Sequence, residues 1–198
     1  MNNHLLALGD FSRDQLQALI DRALELKAES RAGVRHRQLE GRRICLLFEK
    51  PSTRTRVSFE AAMYGLGGQV IFMNTKESQL GRGEPLKDTA RVLSRYVDGI
   101  VVRTFGQEVV EELAHYSSVP VINALTDLHH PCQILSDLMT VSEKKALLDE
   151  LNTVWIADGN NMSNSWTEAH PARGVPLALA CPSRFPPGSA VLARVRGC

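Results

Sequence analysis

The chain has 198 residues, 43% of them hydrophobic and 23% charged, a balance that excludes global disorder and collagen-like repeats. Lys plus Arg (23) almost cancels Asp plus Glu (22), and the net charge of +1 carries no nucleic-acid or membrane-surface signature. No apolar run approaches the roughly 18 residues that span a bilayer, no signal or transit peptide is read, and the scattered Cys45, Cys132, Cys181 and Cys198 form no disulfide framework, so a reducing cytoplasm is the expected compartment.

The first predicted helix opens at Ser12, with Gln15 completing a capping box, and Leu16, Leu19, Ile20, Ala23 and Leu26 recur on one face. Gly33 and Gly41 loosen the chain before Ile44–Phe48, an apolar run expected as a buried strand and stopped by Pro51. A helix follows from about Thr53 to the glycines at 65, 67 and 68. Gln69–Met73 reads as a strand, Asn74–Pro85 as a polar loop, Asp88–Tyr96 as a short helix and Gly99–Val102 as a strand. Glu108–His115 is predicted helical, Val119–Asn123 a strand, Leu128–Pro131 a loop, and Cys132–Leu148 a helix with Pro131 near its start, where proline is tolerated. Lys144–Asn152 reads as a helix end and link. Thr153–Ala157 and Leu177–Ala180 are further strands, with a helix over Asn161–Ala169 between them.

Strands apolar on both faces and alternating with helices predict an α/β fold. The expected architecture is a parallel sheet flanked by helices over residues 1–148, followed by an incomplete second α/β domain over 149–198. After Ala169 the stretches HPARGVP and PSRFPPG crowd Pro, Gly and Arg, and this tail is expected to be poorly ordered.

Ligands of open α/β sheets bind at the carboxyl ends of strands, and polar segments gather at such ends here. Ser52-Thr53-Arg54-Thr55-Arg56 follows a strand and opens a helix, where free backbone N–H groups favour an anion and a guanidinium fork suits phosphate oxygens. A capped helix with solvated arginines explains the same residues equally well. It is not a P-loop, and Gly65-Leu66-Gly67-Gly68 precedes a strand, so it is not a dinucleotide fingerprint. Arg103-Thr104 ends a buried strand, and a rim salt bridge is the bland alternative there. His129-His130-Pro131-Cys132-Gln133 offers donors and acceptors before a helix; capping is the alternative, and zinc is weak because no second Cys/His pair lies at ligand spacing. Asp158-Gly159-Asn160-Asn161 is either a simple turn or a polar site for an amino or carboxylate group. Ser142-Glu143-Lys144-Lys145 matches S-x-x-K without its partner motifs and is a chance match.

Taken together these segments resemble the aspartate/ornithine carbamoyltransferase family. Phe48-Glu49-Lys50-Pro51-Ser52-Thr53-Arg54-Thr55-Arg56 is similar to its carbamoyl-phosphate signature, and Arg103 and His130-Pro131-Cys132-Gln133 to its other positions for that ligand. Gln79-Leu80-Gly81-Arg82-Gly83-Glu84-Pro85, Asp88–Tyr96, HPCQ and Asp158-Gly159-Asn160-Asn161-Met162 favour the ornithine branch. The resemblance runs from Leu5 to Trp166. It implies that Ser52, Thr53, Arg54 and Thr55 hold the phosphate of carbamoyl phosphate and that Arg54 and Arg103 neutralise its charge. It places Thr55, Arg103 and His130 around the carbonyl oxygen, with Arg103 and His130 as the catalytic pair, and Gln133 on the carbamoyl NH2. Asn161 falls on the L-ornithine side. It implies a homotrimer in which Gln79 reaches a neighbour's phosphate, with no metal or organic cofactor. The family's aspartate-Ser-Met-Gly, His-Cys-Leu-Pro and late arginine do not occur, so the chain reads as C-terminally truncated. It is expected to bind carbamoyl phosphate weakly and to make essentially no citrulline alone. Transfer to another amine such as putrescine, or a non-catalytic carbamoyl-phosphate-binding module, are the alternatives.

Overall fold

The apolar runs around residues 44–48 and 99–102 have no polar face to offer water, and both become central strands. The computed structural model describes residues 4–145, 152–173 and 176–196. Along the chain the elements are α1 (Arg13–Arg31), β1 (Arg43–Phe48), α2 (Thr53–Gly65), β2 (Gln69–Asn74), α3 (Leu86–Leu93), β3 (Gly99–Arg103) and α4 (Gln107–Tyr116). They continue with β4 (Val121–Leu125), α5 (Pro131–Lys145), β5 (Thr153–Ile156), α6 (Asn161–Arg173), β6 (Leu177–Ala180) and α7 (Ser189–Arg196). By compactness the chain divides into Met1–Leu6 with Ala32–Thr126, and Ala7–Arg31 with Asp127–Cys198. This differs from a linear division at residue 148, because α1 and α5 pack with one another and with α6 in the second unit.

The first unit is a four-stranded sheet in the order β2-β1-β3-β4, parallel throughout. Strand side chains alternate between faces. Cys45, Leu47, Ile100, Val102 and Val121 enter one core with Ala90 and Leu93 of α3 and Val110 and Leu113 of α4. Leu46, Phe48, Val101 and Ala124 form the other, with Phe59 of α2 against it. Burial of each Val, Leu, Ile or Phe side chain among these stabilises by about 1.5–3 kcal/mol, which is why β1 and β3 read as unbroken apolar runs. Asp98 pins the starts of these strands: its carboxylate accepts from the Arg43 N–H at 2.9 Å and from Arg42 Nη1 at 2.6 Å. Leu5 forms a parallel bridge to Ile122 and covers the β4 edge.

In the second unit α1 carries the expected capping box: the Ser12 N–H donates to Gln15 Oε1 at 2.8 Å and the Gln15 N–H to Ser12 Oγ at 3.3 Å. Leu16 and Ile20 are buried, and Lys27 Nζ meets Glu143 Oε2 of α5 at 2.7 Å. β5 and β6 pair in parallel as a separate two-stranded sheet, leaving Val154 and Ile156 exposed. The tail differs from its expectation. β6 pairs in full with β5, α7 buries Val191, and the Gly159 N–H donates to the Phe185 carbonyl at 2.8 Å. A Cβ at Gly159 would collide with the Pro186 backbone, so glycine is required there by close approach. Residues 146–148 of the predicted fifth helix, and most of the link after it, lie outside the described residues.

Candidate functional site

The sheet order places the site. From β1 the chain crosses to β2 on one side, then returns to β3 and β4 on the other. The carboxyl ends of β1 and β3 therefore flank a topological switch point, the crevice where open parallel sheets bind ligands. After β1 comes the Ser52–Thr55 turn, and β3 ends on Arg103. Sequence reading singled out both segments, and the fold makes them neighbours.

Locally, Ser52 has extended backbone and caps α2, its Oγ accepting from the Thr55 N–H at 3.2 Å. The first N–H groups of α2 have no intrahelical acceptor. Thr53 and Arg54 are exposed at this end, and Ser52 and Thr55 are half-buried. A depression of about 430 Å³ lies beside the turn, lined by Glu49, Lys50, Ser52, Thr53, Arg56 and Asn74 among others. Arg56 serves the scaffold: it pairs with Glu60 at 2.9 Å and lies 3.8 Å over the Phe72 ring.

Arg103 is half-buried, and its Nη1 donates to Thr55 Oγ1 at 3.4 Å. Its carbonyl accepts from the Glu49 N–H at 2.8 Å, joining the two strand ends. The β3–β4 register skips one residue here, pairing Val102 with Asn123 and Arg103 with Leu125. Such bulges re-aim a side chain at a strand end. Thr104, next in line, donates a hydrogen bond to Glu49 Oε2. Burial, and secondarily the charge of Arg54, holds the Arg103 guanidinium below its usual range. Guanidinium remains charged in proteins, so two like charges converge on one turn and favour an anion between them.

Gln79 does not join this cluster. It is exposed in the loop after β2, where its carbonyl accepts from the Arg82 and Glu84 N–H groups at 2.9 and 3.1 Å.

The remaining candidates stand in the second unit. His130 precedes α5 and is half-buried; its carbonyl accepts from the Gln133 N–H at 3.2 Å, and its own N–H donates to Ser165 Oγ at 2.8 Å. Gln133 is exposed and donates from Nε2 to Asp137 Oδ1 at 2.9 Å. Burial pushes the Cys132 thiol up to about 12, so it is no thiolate nucleophile at neutral pH. Asn161 begins α6, with Asn160 as its cap: Asn160 Oδ1 accepts from the Met162 and Ser163 N–H groups at 2.9 and 3.3 Å. No group of three or more His, Cys, Asp or Glu able to hold a metal exists among the described residues.

Sequence reading missed a polar face on α6. Ser163, Asn164, Ser165, Thr167 and Glu168 are all buried. Buried polar groups persist when they are bonded. Asn164 Nδ2 donates to the Leu128 carbonyl at 3.1 Å, Thr167 Oγ1 donates to the Ser163 carbonyl at 2.7 Å, and Glu168 Oε2 lies 3.5 Å from His129 Nδ1. The signal was present as polar residues at 161, 164, 165 and 168, a helical i, i+3, i+4, i+7 spacing.

Residues 3–143 match the family model described as the aspartate/ornithine carbamoyltransferase carbamoyl-P binding domain. The ornithine carbamoyltransferase of Desulfotalea psychrophila is 64% identical over 193 residues, covering 98% of this chain and 64% of that relative. The one from Pelobacter propionicus is 54% identical, covering 98% and 63%. The likeness therefore continues beyond Trp166 into the tail, and the chain spans just under two thirds of the length of these relatives. Among solved structures, ornithine carbamoyltransferase from Pyrococcus furiosus superposes with a TM-score of 0.94 at 43% identity, covering 98% of this chain and 62% of that one. The Thermus thermophilus protein gives 0.91 at 41% identity, covering 99% and 67%.

Proposed function

Because the chain belongs to the aspartate/ornithine carbamoyltransferase family, we propose that it serves carbamoyl transfer from carbamoyl phosphate to the δ-amine of L-ornithine, giving L-citrulline and phosphate. The observation that carries this reading is the meeting of the Ser52–Thr55 turn and Arg103 at the switch point, 3.4 Å apart through Thr55. Helix N–H groups, three hydroxyls and two guanidinium groups suit a small dianion.

In this reading Ser52, Thr53, Arg54 and Thr55 hold the phosphate, and Arg54 and Arg103 offset its charge. Thr55, Arg103 and His130 surround the carbonyl oxygen, and Gln133 takes the carbamoyl NH2. The deprotonated δ-amine attacks the carbonyl carbon, the carbonyl electrons pass to oxygen, and collapse of the tetrahedral oxyanion breaks the C–O bond to phosphate, which leaves with the proton that the attacking nitrogen gives up. Each preorganised donor to that oxyanion contributes about 3–4 kcal/mol by analogy with other acyl-transfer sites. Asn161, at the start of α6, stands on the ornithine side. Residues 1–148 supply the carbamoyl-phosphate side and 149–198 begin the amine side. We further read the protein as a cytoplasmic homotrimer, in which exposed Gln79 reaches a neighbouring subunit's phosphate. No helix among the described residues is long and apolar enough to cross a membrane.

Calorimetric titration with carbamoyl phosphate tests the reading. Arg54→Ala is expected to weaken binding by about 1.5–3 kcal/mol, the worth of a charge-assisted contact, with little change in Tm. Unchanged affinity in a stable variant would overturn the phosphate-site assignment. Ornithine, putrescine and aspartate, offered separately, then test the acceptor. Turnover with putrescine or aspartate reassigns it, and binding without turnover on any amine marks these 198 residues as the binding half of the reaction.

A further inference from the structure

A serine inside a helix ordinarily points to solvent or bonds back to its own helix. Ser165 does neither. It is 1% exposed, and its Oγ accepts the His130 N–H of a different segment at 2.8 Å. The His130 carbonyl is committed to the first turn of α5, accepting from the Gln133 N–H. With both backbone groups engaged, the direction of the His130 Cα–Cβ bond is fixed, and only side-chain rotation remains to the imidazole.

The neighbours of Ser165 hold the same loop. Asn164 Nδ2 donates to the Leu128 carbonyl at 3.1 Å, and Asn164 Oδ1 accepts from the Gly188 N–H at 3.0 Å. Glu168 Oε2 stands 3.5 Å from His129 Nδ1 and accepts from the Gly9 N–H at 3.4 Å. One buried face of one helix therefore bonds residues 128 and 130 and stands against residue 129 between them. An unbonded hydroxyl or carboxylate at such depth is costly. These bonds answer that cost, and they do so on the loop that carries His130.

We propose that Ser165, supported by Asn164 and Glu168, is a positioning residue that holds His130 in register with the carbamoyl group. The proposal rests on the reading of His130 as a carbamoyl contact. It separates two parts of one ligand: the phosphate is assigned to the Ser52–Thr55 turn and Arg103, and only the carbamoyl head needs His130. Loss of the Ser165 hydroxyl therefore lowers affinity for carbamoyl phosphate while leaving inorganic phosphate untouched. A displacement near 1 Å at a reacting group costs about a hundredfold in rate, and a roughly tenfold loss of binding preference is expected here.

The experiment titrates the 198-residue chain with carbamoyl phosphate and with inorganic phosphate, by calorimetry, for wild type, Ser165→Ala, Ser165→Cys and Ser165→Thr. Ser165→Cys nearly conserves volume and removes a good acceptor, whereas Ser165→Thr keeps the hydroxyl. Expected is a roughly tenfold fall in the carbamoyl phosphate to phosphate affinity ratio for the alanine and cysteine variants, with the threonine variant near wild type. A purely structural role lowers Tm and leaves the ratio unchanged. An unchanged ratio in a folded Ser165→Cys protein overturns the proposal while leaving the functional reading intact. A wild-type chain that does not distinguish the two ligands overturns that reading, and the proposal with it.

Discussion

Cys132 stands beside His130 and Gln133 in the motif proposed to make the carbamoyl contacts, yet burial pushes its thiol up to about 12. Burial does the same to Cys45 in the sheet core. Two outcomes follow. At pH 8 iodoacetamide should leave both thiols unmodified over a period in which a free, exposed cysteine reacts to completion. Mass-spectrometric peptide mapping reads this, and rapid labelling of Cys132 would show that its sulfur is open to water. The second outcome concerns stability. Both thiols ionise in the unfolded chain near the ordinary value of 9 and in the folded one only near 12. Their contribution is complete below pH 9 and is lost as pH rises towards 12. Replacing both with alanine should flatten that alkaline limb in equilibrium denaturation. At this scale the sequence showed the polar residues of the strand-end turns but not their company. Arg103 was readable as a strand end, while its bond to Thr55 depends on β1 and β3 lying side by side.

Among the elements, β1 and β3 bear most of the fold. Ile100 is fully buried between strands, and Ile100→Ala should cost about 2–5 kcal/mol, read as a shift in urea midpoint with unchanged slope. Asp98 ties the beginnings of the same strands. The Arg43 N–H, and then the Arg42 side chain, hold its carboxyl below the usual carboxylate range. Its contribution is therefore present above the unfolded value near 4 and is lost as pH falls through the lower folded value. Asp98→Asn should lower Tm modestly at pH 7, since the pair is partly solvent-screened. The variant should converge on wild type in acid; a difference that persists unchanged at pH 2 would refute the assignment. Helices and strands with a local signature were legible: the capping box of α1, the apolar runs of β1 and β3, the proline opening α5. Sheet order was not, because it is set by which crossovers pack. The α7 helix was missed as well, since its Ser-Ala-Val-Leu start follows a Pro-Pro-Gly stretch that argues for a loop.

For the molecule as a whole, protection should be uneven. In hydrogen exchange the β1 and β3 amides, paired on both sides and covered on both faces, should be the slowest. Those of β5 and β6 should be among the fastest, because a two-stranded sheet is marginal and Val154 and Ile156 stand exposed. Equal protection in both sheets would mean that something covers β5 and β6 in solution. The division into units has a bearing on synthesis. The second unit is discontinuous, its first segment ending at Arg31 and the next starting at Asp127. On the ribosome α1 emerges long before α5, its packing partner. About 100 residues separate the end of α1 from the start of α5, roughly 5–20 s of translation at ordinary speeds. Throughout that interval the first unit is being completed while α5 and α6, the helices that α1 packs with, are still to be made. The nascent chain thus carries an amphipathic helix whose apolar stripe is left for a nascent-chain chaperone to shield, and a ribosome stalled before residue 127 would release a finished sheet with an orphaned α1.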